Sequence, residues 1–195
     1  MQTTNLLPDM PTKIGVMVSG GLDSALLLYL LTKENKQKGY PHEIIALTVY
    51  KTDNSEGHSK RIVSTIEIML DTTISTSEVG PNVGMPLHEI ILSIIDKNIV
   101  PLLYEGSNAI HESLMDSSPP VRYISPYDTI KQPWAYTTKD AIVKYILDEK
   151  LYELINMSHS CGRRDRDSGQ CGTCYNCIER AWAFKQNNAQ DTGTY

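Results

Sequence analysis

Apolar and polar positions along this chain switch between two rhythms. Lys13 to Val18 is a short run of small and branched apolar residues, the pattern of a buried strand. Asp23 to Lys36 places Leu26, Leu27, Leu30 and Leu31 at helical spacing, until Gly39-Tyr40-Pro41 stops it. Glu43 to Tyr50 returns to strand. His58 to Leu70 then sets Ile62, Ile66, Met69 and Leu70 on one helical face. Thr72 to Glu78 alternates as a third strand, and Pro86 to Lys97 carries Ile90, Ile91, Ile94 and Ile95 as a third helix. Ile99 to Tyr104 predicts another strand despite Pro101. Strands alternating with helices predict an α/β fold, doubly wound around a mostly parallel sheet.

Past Asn108 the rhythm weakens. Glu112 to Tyr127 reads as a loop or flap with a short strand at Val121 to Ile124. Trp134 to Asp140 leads into a helix with Thr137 or Thr138 as its N-cap and Ile142, Val143, Ile146 and Leu147 as its apolar face. Tyr152 to Ile155 is a further helical piece, and a last helix runs from Tyr175 through Ile178, Ala181, Trp182 and Phe184. At Ser158 the composition turns small, basic and cysteine-rich. The expected organisation is an α/β domain over residues 1–157 and a cysteine-rich tail over 158–195.

The junction between the first strand and first helix carries candidate chemistry. The segment reads Val18-Ser19-Gly20-Gly21-Leu22-Asp23-Ser24-Ala25-Leu26-Leu27-Leu28. The Gly pair allows a sharp turn. Asp23 and Ser24 are placed at the helix start, where side-chain oxygens cap free N–H groups. Bare loop amides and a helix N-terminus make a site for phosphate or pyrophosphate. The loop lacks the length and the Lys of a Walker A sequence, and its spacing is not that of a dinucleotide fingerprint. In parallel sheets ligands bind at the carboxyl ends of strands. The loops at Lys51 to Gly57 and at Glu105-Gly106-Ser107-Asn108 fall on that same edge.

All four cysteines, Cys161, Cys171, Cys174 and Cys177, lie in the tail. The spacing Cys-x9-Cys-x2-Cys-x2-Cys suits a closed tetrahedral Zn2+ site. An iron–sulfur cluster is the rival, since the spacings overlap. Arg163, Arg164 and Arg166 between the ligands either meet phosphates or a partner subunit, or form a solvated run. The net charge of −5 over 195 residues argues against a general nucleic-acid grip. With no 18-residue apolar stretch and no signal pattern, the expectation is a soluble, cytoplasmic protein without a membrane segment. Among the histidines, His58 opens a helix beside the pocket and either contacts a nucleotide or is a surface residue next to the helix cap. For His88, His111 and His159 a structural role is favoured over acid–base work, since nothing pairs them in sequence, and His42 is read as a surface residue.

The loop Ser19-Gly20-Gly21-Leu22-Asp23-Ser24 resembles the PP-loop, S-G-G-x-D-S, of the ATP pyrophosphatase superfamily. The tail Ser160-Cys161 … Cys171-Gly172-Thr173-Cys174-Tyr175-Asn176-Cys177, with Arg180, Ala183-Phe184 and Asp191 … Tyr195, looks like that of the 7-cyano-7-deazaguanine synthase (QueC-like) family. Thr138-Lys139-Asp140-Ala141-Ile142-Val143 is similar to the family's S-K-x-E-I-V. The resemblance covers roughly the first fifty and last sixty residues. It implies that ATP adenylates a deazapurine carboxylate. Ammonia then gives the amide, and a second ATP leads to the nitrile.

Within that scheme Ser19, Gly20, Gly21 and Ser24 hold pyrophosphate. Asp23 orients the loop or holds Mg2+, and Lys139 either neutralises developing charge or is an ordinary exposed helix residue. Homodimers are also implied. The middle of the chain departs from the family: His111 replaces the acid of G-x-N-x-x-D, no Gly-Tyr-Pro-Asp follows, and Lys51 to His58 keeps little of D-Y-G-Q-x-H. Two other readings stand beside this one, and the departures favour the second. One is a thiolase acting on RNA or nucleotide, and the other is a non-catalytic protein that binds nucleotide or a partner.

Overall fold

A computed structural model describes all of the chain except residues 2, 11, 50–54, 80–86, 98, 118, 121–123, 163–168 and 194–195. Among the described residues five strands form one sheet: β1 (Lys13–Met17), β2 (Glu43–Val49), β3 (Ser75–Val79), β4 (Leu102–Tyr104) and β5 (Ile130–Lys131). Their order is β3-β2-β1-β4-β5, and every pairing is parallel. The helices are α1 (Leu22–Gln37), α2 (Ser55–Leu70), α3 (Leu87–Asp96), α4 (Lys139–Asp148), α5 (Tyr152–Met157) and α6 (Tyr175–Gln186). The expected α/β class and parallel sheet are therefore present.

The period-two pleat sorts the strands between two cores. Ile14, Val16, Val18, Ile44 and Ala46 face a cluster that includes Leu26 and Leu27 of α1, Ile62 and Ile66 of α2, Ile142 and Ile146 of α4, and Phe184 of α6. Met17, Ile45, Leu47 and Leu103 face the opposite cluster, built with Ile90, Ile91 and Ile94 of α3. Helix α1 is buried on nearly all sides, which is why its sequence is apolar beyond a single stripe. Among the described residues no helix is long and apolar enough to cross a membrane.

Element ends moved for identifiable reasons. The third strand begins at Ser75 because the N–H groups of Thr72 and Ile74 turn back to the Glu67 carbonyl and carboxylate, at 3.1 and 2.9 Å. The fourth begins at Leu102, after Pro101, which has no N–H for the ladder. The edge strand β5 went unread, since two residues are too few for a periodic signal. The expected flap opens with a 3-10 helix, Glu112–Ser117, and the strand expected at Val121 to Ile124 lies largely outside the described residues. So do the Gly80 to Gly84 loop, most of the Lys51 to Gly57 loop, and Arg163, Arg164 and Arg166.

Two local expectations are corrected. Gly21, not Asp23 or Ser24, holds the N-cap of α1, and no side chain caps that helix. The turn is tighter than expected, so Asp23 and Ser24 fall inside the first helical turn. Thr138 does occupy the N-cap of α4, but without a side-chain cap bond. His42 is buried, not on the surface. Its ring Nδ1 accepts from the Thr12 N–H at 3.3 Å, and its backbone exchanges two bonds with the Asn35 amide, at 3.1 and 2.9 Å.

The N-terminal segment is tied to α1 and β4. The Glu34 carboxylate accepts from the Leu6 and Leu7 N–H groups, at 2.9 and 3.4 Å, and the Tyr104 hydroxyl donates to the Leu6 carbonyl. Burial, and then the Glu34 charge, push the Tyr104 phenol from 10.0 up to about 12. Because its folded value is raised, the stability it contributes is whole below the unfolded value of 10.0 and is lost as pH climbs to about 12. Urea unfolding from pH 9 to about 12 should show a steeper alkaline loss in the natural protein than in Tyr104→Phe. Parallel curves would rule out this linkage.

Candidate functional site

The sheet order changes direction at β1, with β2 on one side and β4 on the other. A crevice outside the carboxyl ends of these strands is where such folds bind ligands. The segment after β1 lines it. Gly20 has φ +81, and a Cβ there would stand 2.3 Å from Cβ of His58, so the turn and the close approach of α2 both require glycine. Ser24 Oγ donates to the Gly21 carbonyl at 3.0 Å and accepts from the Ser19 N–H at 3.3 Å. Ser19 Oγ stands 3.2 Å from Ser24 Oγ and accepts from the Gly21 N–H at 3.3 Å. Two hydroxyls thus hold two loop amides through long bonds, at the positive end of a helix dipole. An anion can replace such bonds at little cost.

Behind the loop, Val18, Leu22, Ala25, Leu26, Leu27 and Leu28 are buried and fix its position. The loop after β4 packs directly on it: a Cβ on Gly106 would lie 3.2 Å from backbone atoms of Asp23 and Ser24. The tail reaches it too, through the His159 N–H, which donates to the Gly20 carbonyl at 2.8 Å.

Lys139 is not the exposed helix residue that its position also allowed. Its side chain is 5% exposed, and its ammonium stands 2.9 Å from Asp23 Oδ2 and 2.8 Å from Glu179 Oε2. Burial pushes Lys139 down, but the Asp23 and Glu179 carboxylates outweigh it and hold the amine above its ordinary value, so it stays charged. Glu179, 1% exposed, also accepts from Asn108 Nδ2 and the Tyr175 hydroxyl, each at 3.1 Å. Asp23 Oδ1 is buried with no hydrogen-bond partner among the described residues. Sequence reasoning singled out Asp23 and Lys139 and missed Glu179. A lone Glu in a helix carries no local signal that it will be buried beside a lysine forty residues away.

The histidines also regroup. His58 Nε2 and His159 Nδ1 are 3.4 Å apart, with ring centroids at 4.0 Å, and Arg61 reaches His58 Nδ1. The pair flanks Gly20, so these two residues meet at the loop from opposite ends of the sequence. His111 lies against Trp182 with ring centroids 4.7 Å apart. The side chain of His88 lies outside the described residues.

The four cysteines converge. All four Sγ atoms lie within 4.8 Å of one another, and none forms a disulfide. The sulfurs stand 3.5 Å apart for Cys174 and Cys177, 3.9 Å for Cys171 and Cys177, and 4.0 Å for Cys161 and Cys174. Thiolates about 2.3 Å from one metal at tetrahedral corners stand about 3.8 Å apart. The donor set therefore fits a single four-coordinate ion, whereas a multi-iron cluster would spread the sulfurs further.

Burial pushes the Cys171 thiol up, but bonds from the Thr173 hydroxyl and from the Thr173 and Cys174 N–H groups bring it down to about 5. Burial first, then Cys174, push the Cys177 thiol well above 9.0. Beside the cluster, fully buried Arg180 grips Asp191 at 2.7 and 2.9 Å and donates to Ser158, Ser160 and the Ile155 carbonyl.

Comparison with known proteins agrees with this picture. Residues 120–188 match the family model described as queuosine biosynthesis protein QueC. The chain is 26% identical over 228 aligned positions to a 7-cyano-7-deazaguanine synthase from Methanococcus aeolicus, covering 92% of this chain and 97% of that protein. It is similar in fold to the U34-tRNA thiolase NcsA from Methanococcus maripaludis with its [4Fe-4S] cluster. That likeness has a TM-score of 0.51 and 13% identity, covering 92% of this chain and 68% of the thiolase. The sequence matches bear out the resemblance read from the motifs, and the solved structure bears out the fold.

The ion triad makes a prediction for stability. Lys139→Met would leave buried Glu179 and half-buried Asp23 without their cation, a change that costs about 3–5 kcal/mol. Urea unfolding without nucleotide should show a loss of that size. A loss under about 1 kcal/mol, the range of exposed pairs, would mean the triad is solvated.

Proposed function

We propose that the protein is an ATP-dependent, AMP-forming carbon–nitrogen synthase. It converts 7-carboxy-7-deazaguanine and ammonia to 7-cyano-7-deazaguanine, or acts in the same way on a closely related carboxylate. The observation that carries this reading is the Ser19-to-Ser24 loop, intact at the carboxyl edge of the sheet, in a chain similar to that synthase family. The protein is proposed to work in the cytoplasm as a homodimer, with residues 1–157 carrying the nucleotide site and 158–195 the metal tail.

The chemistry explains the residue types. A carboxylate resists attack by an amine until one oxygen is made a leaving group. The substrate oxygen attacks the α-phosphorus of ATP, and the bond to pyrophosphate breaks. Ammonia then displaces AMP to give the amide. A second ATP adenylates the amide oxygen, and loss of AMP with two protons gives the nitrile.

In this reading the loop amides and the hydroxyls of Ser19 and Ser24, with Gly20 and Gly21 for clearance, receive the departing pyrophosphate. Val18, Leu22 and Ala25 to Leu28 keep the loop in register from behind. Asp23 orients the loop through Lys139, and its unpartnered Oδ1 fits Mg2+, which supplies neutralising charge to the pyrophosphate when bound. Lys139 offsets negative charge as the α-phosphorus bond breaks. Cys161, Cys171, Cys174 and Cys177 would hold Zn2+ as a closed structural site with no position open for substrate. With every cysteine so used, no free thiol remains for sulfur transfer, which counts against the thiolase reading.

The test is release of pyrophosphate and AMP from ATP and Mg2+ with ammonia, with and without 7-carboxy-7-deazaguanine. The expected result is release that depends on the deazapurine and a nitrile product. Ser24→Ala and Asp23→Asn should each lower the rate by about a hundredfold while keeping the metal. ATP cleavage indifferent to the deazapurine, or none at all, would overturn the reading.

A further inference from the structure

Each arm of the cysteine cluster lies two positions along the chain from a support of the phosphate loop. On one arm, Cys161 is two residues from His159, whose N–H holds the Gly20 carbonyl at 2.8 Å. On the other, Cys177 is two residues from Glu179, whose carboxylate lies 2.8 Å from Lys139, which lies 2.9 Å from Asp23. Cys174 is the N-cap of α6 and caps it with no side-chain hydrogen bond. The first turn of that helix, the part that frays most readily, is the part the cluster would pin.

We propose that Glu179 is a positioning residue through which metal occupancy of the cysteine cluster sets the geometry of Asp23, so that metal and pyrophosphate bind cooperatively. The proposal rests on the reading of the loop as a pyrophosphate site. With the first turn of α6 pinned, Glu179 is fixed by Tyr175 on its own helix and by Asn108 from the loop after β4. Lys139 is then shared between two carboxylates, and Asp23 keeps its buried Oδ1 without a hydrogen-bond partner among the described residues. With the turn released, Glu179 withdraws and Lys139 closes on Asp23 alone. A purely structural Glu179 would affect stability but leave the two binding equilibria independent. Coupling of binding is reciprocal, so it can be read from the metal side, on the loaded protein, without turnover.

The experiment measures zinc affinity by graded chelator competition, with and without saturating magnesium pyrophosphate, whose own binding is followed by calorimetry. The natural protein should hold zinc about tenfold more tightly with pyrophosphate present. In Glu179→Gln the gain should fall to about threefold or less, because only the His159 arm remains. The comparison is a ratio, so a uniform electrostatic effect of removing the charge cancels. Pyrophosphate that binds the natural protein without moving zinc affinity would overturn the proposal, and so would an undiminished gain in Glu179→Gln. No pyrophosphate binding by the natural protein would overturn the phosphate-loop reading and the coupling together. If Glu179→Gln does not fold, Tyr175→Phe, which removes the hydroxyl's bond to Glu179 and keeps the ring, takes its place. A reduced gain supports the proposal and an unchanged gain overturns it.

Discussion

The Asp23–Lys139–Glu179 cluster is the constraint on which the site depends. Taking three charges out of water costs several kcal/mol for each, and a single pair would rarely recover it. Here one ammonium serves two carboxylates, at 2.9 and 2.8 Å, and Tyr175 and Asn108 supply further donors to Glu179. Asp23 also stands in the first turn of α1, where a helix dipole favours a negative charge. The arrangement joins α1, α4 and α6 at one point and leaves one carboxylate oxygen unpartnered beside the phosphate loop.

The sheet brings those helices into range. Its order places the β1 loop and the β4 loop side by side, and glycine at 106 lets the second lie directly on the first turn of α1. That loop runs on from Glu105, bound by Ser107 and by Gln132 at 2.9 Å, to Asn108, which reaches Glu179, and to His111 against Trp182. The Glu105 to His111 stretch therefore touches the first turn of α1, through Gly106, and α6, through Asn108 and His111.

The tail is organised by two devices of different chemistry. The cysteines gather four soft donors at one point, and Arg180 uses its rigid fork to bind Asp191 while satisfying Ser158, Ser160 and the end of α5. Between them they hold Ser158 to Cys161 in register, and this is the stretch whose His159 N–H supports Gly20.

What the chain determined by itself is whatever has a local or periodic signature. The α/β alternation, the glycine turn after β1, the helix faces and the clustering of four cysteines follow from spacing alone, because turn geometry, side-chain period and ligand count act over a few residues. The two-residue strand β5, the burial of His42, the meeting of His58 with His159 and the role of Glu179 were decided only by tertiary structure. Each depends on partners far apart in sequence. A lone His or Glu is written identically whether it ends in solvent or beside a buried lysine. For Glu179, only the packing of α6 on α4, and of α4 on α1, settles which.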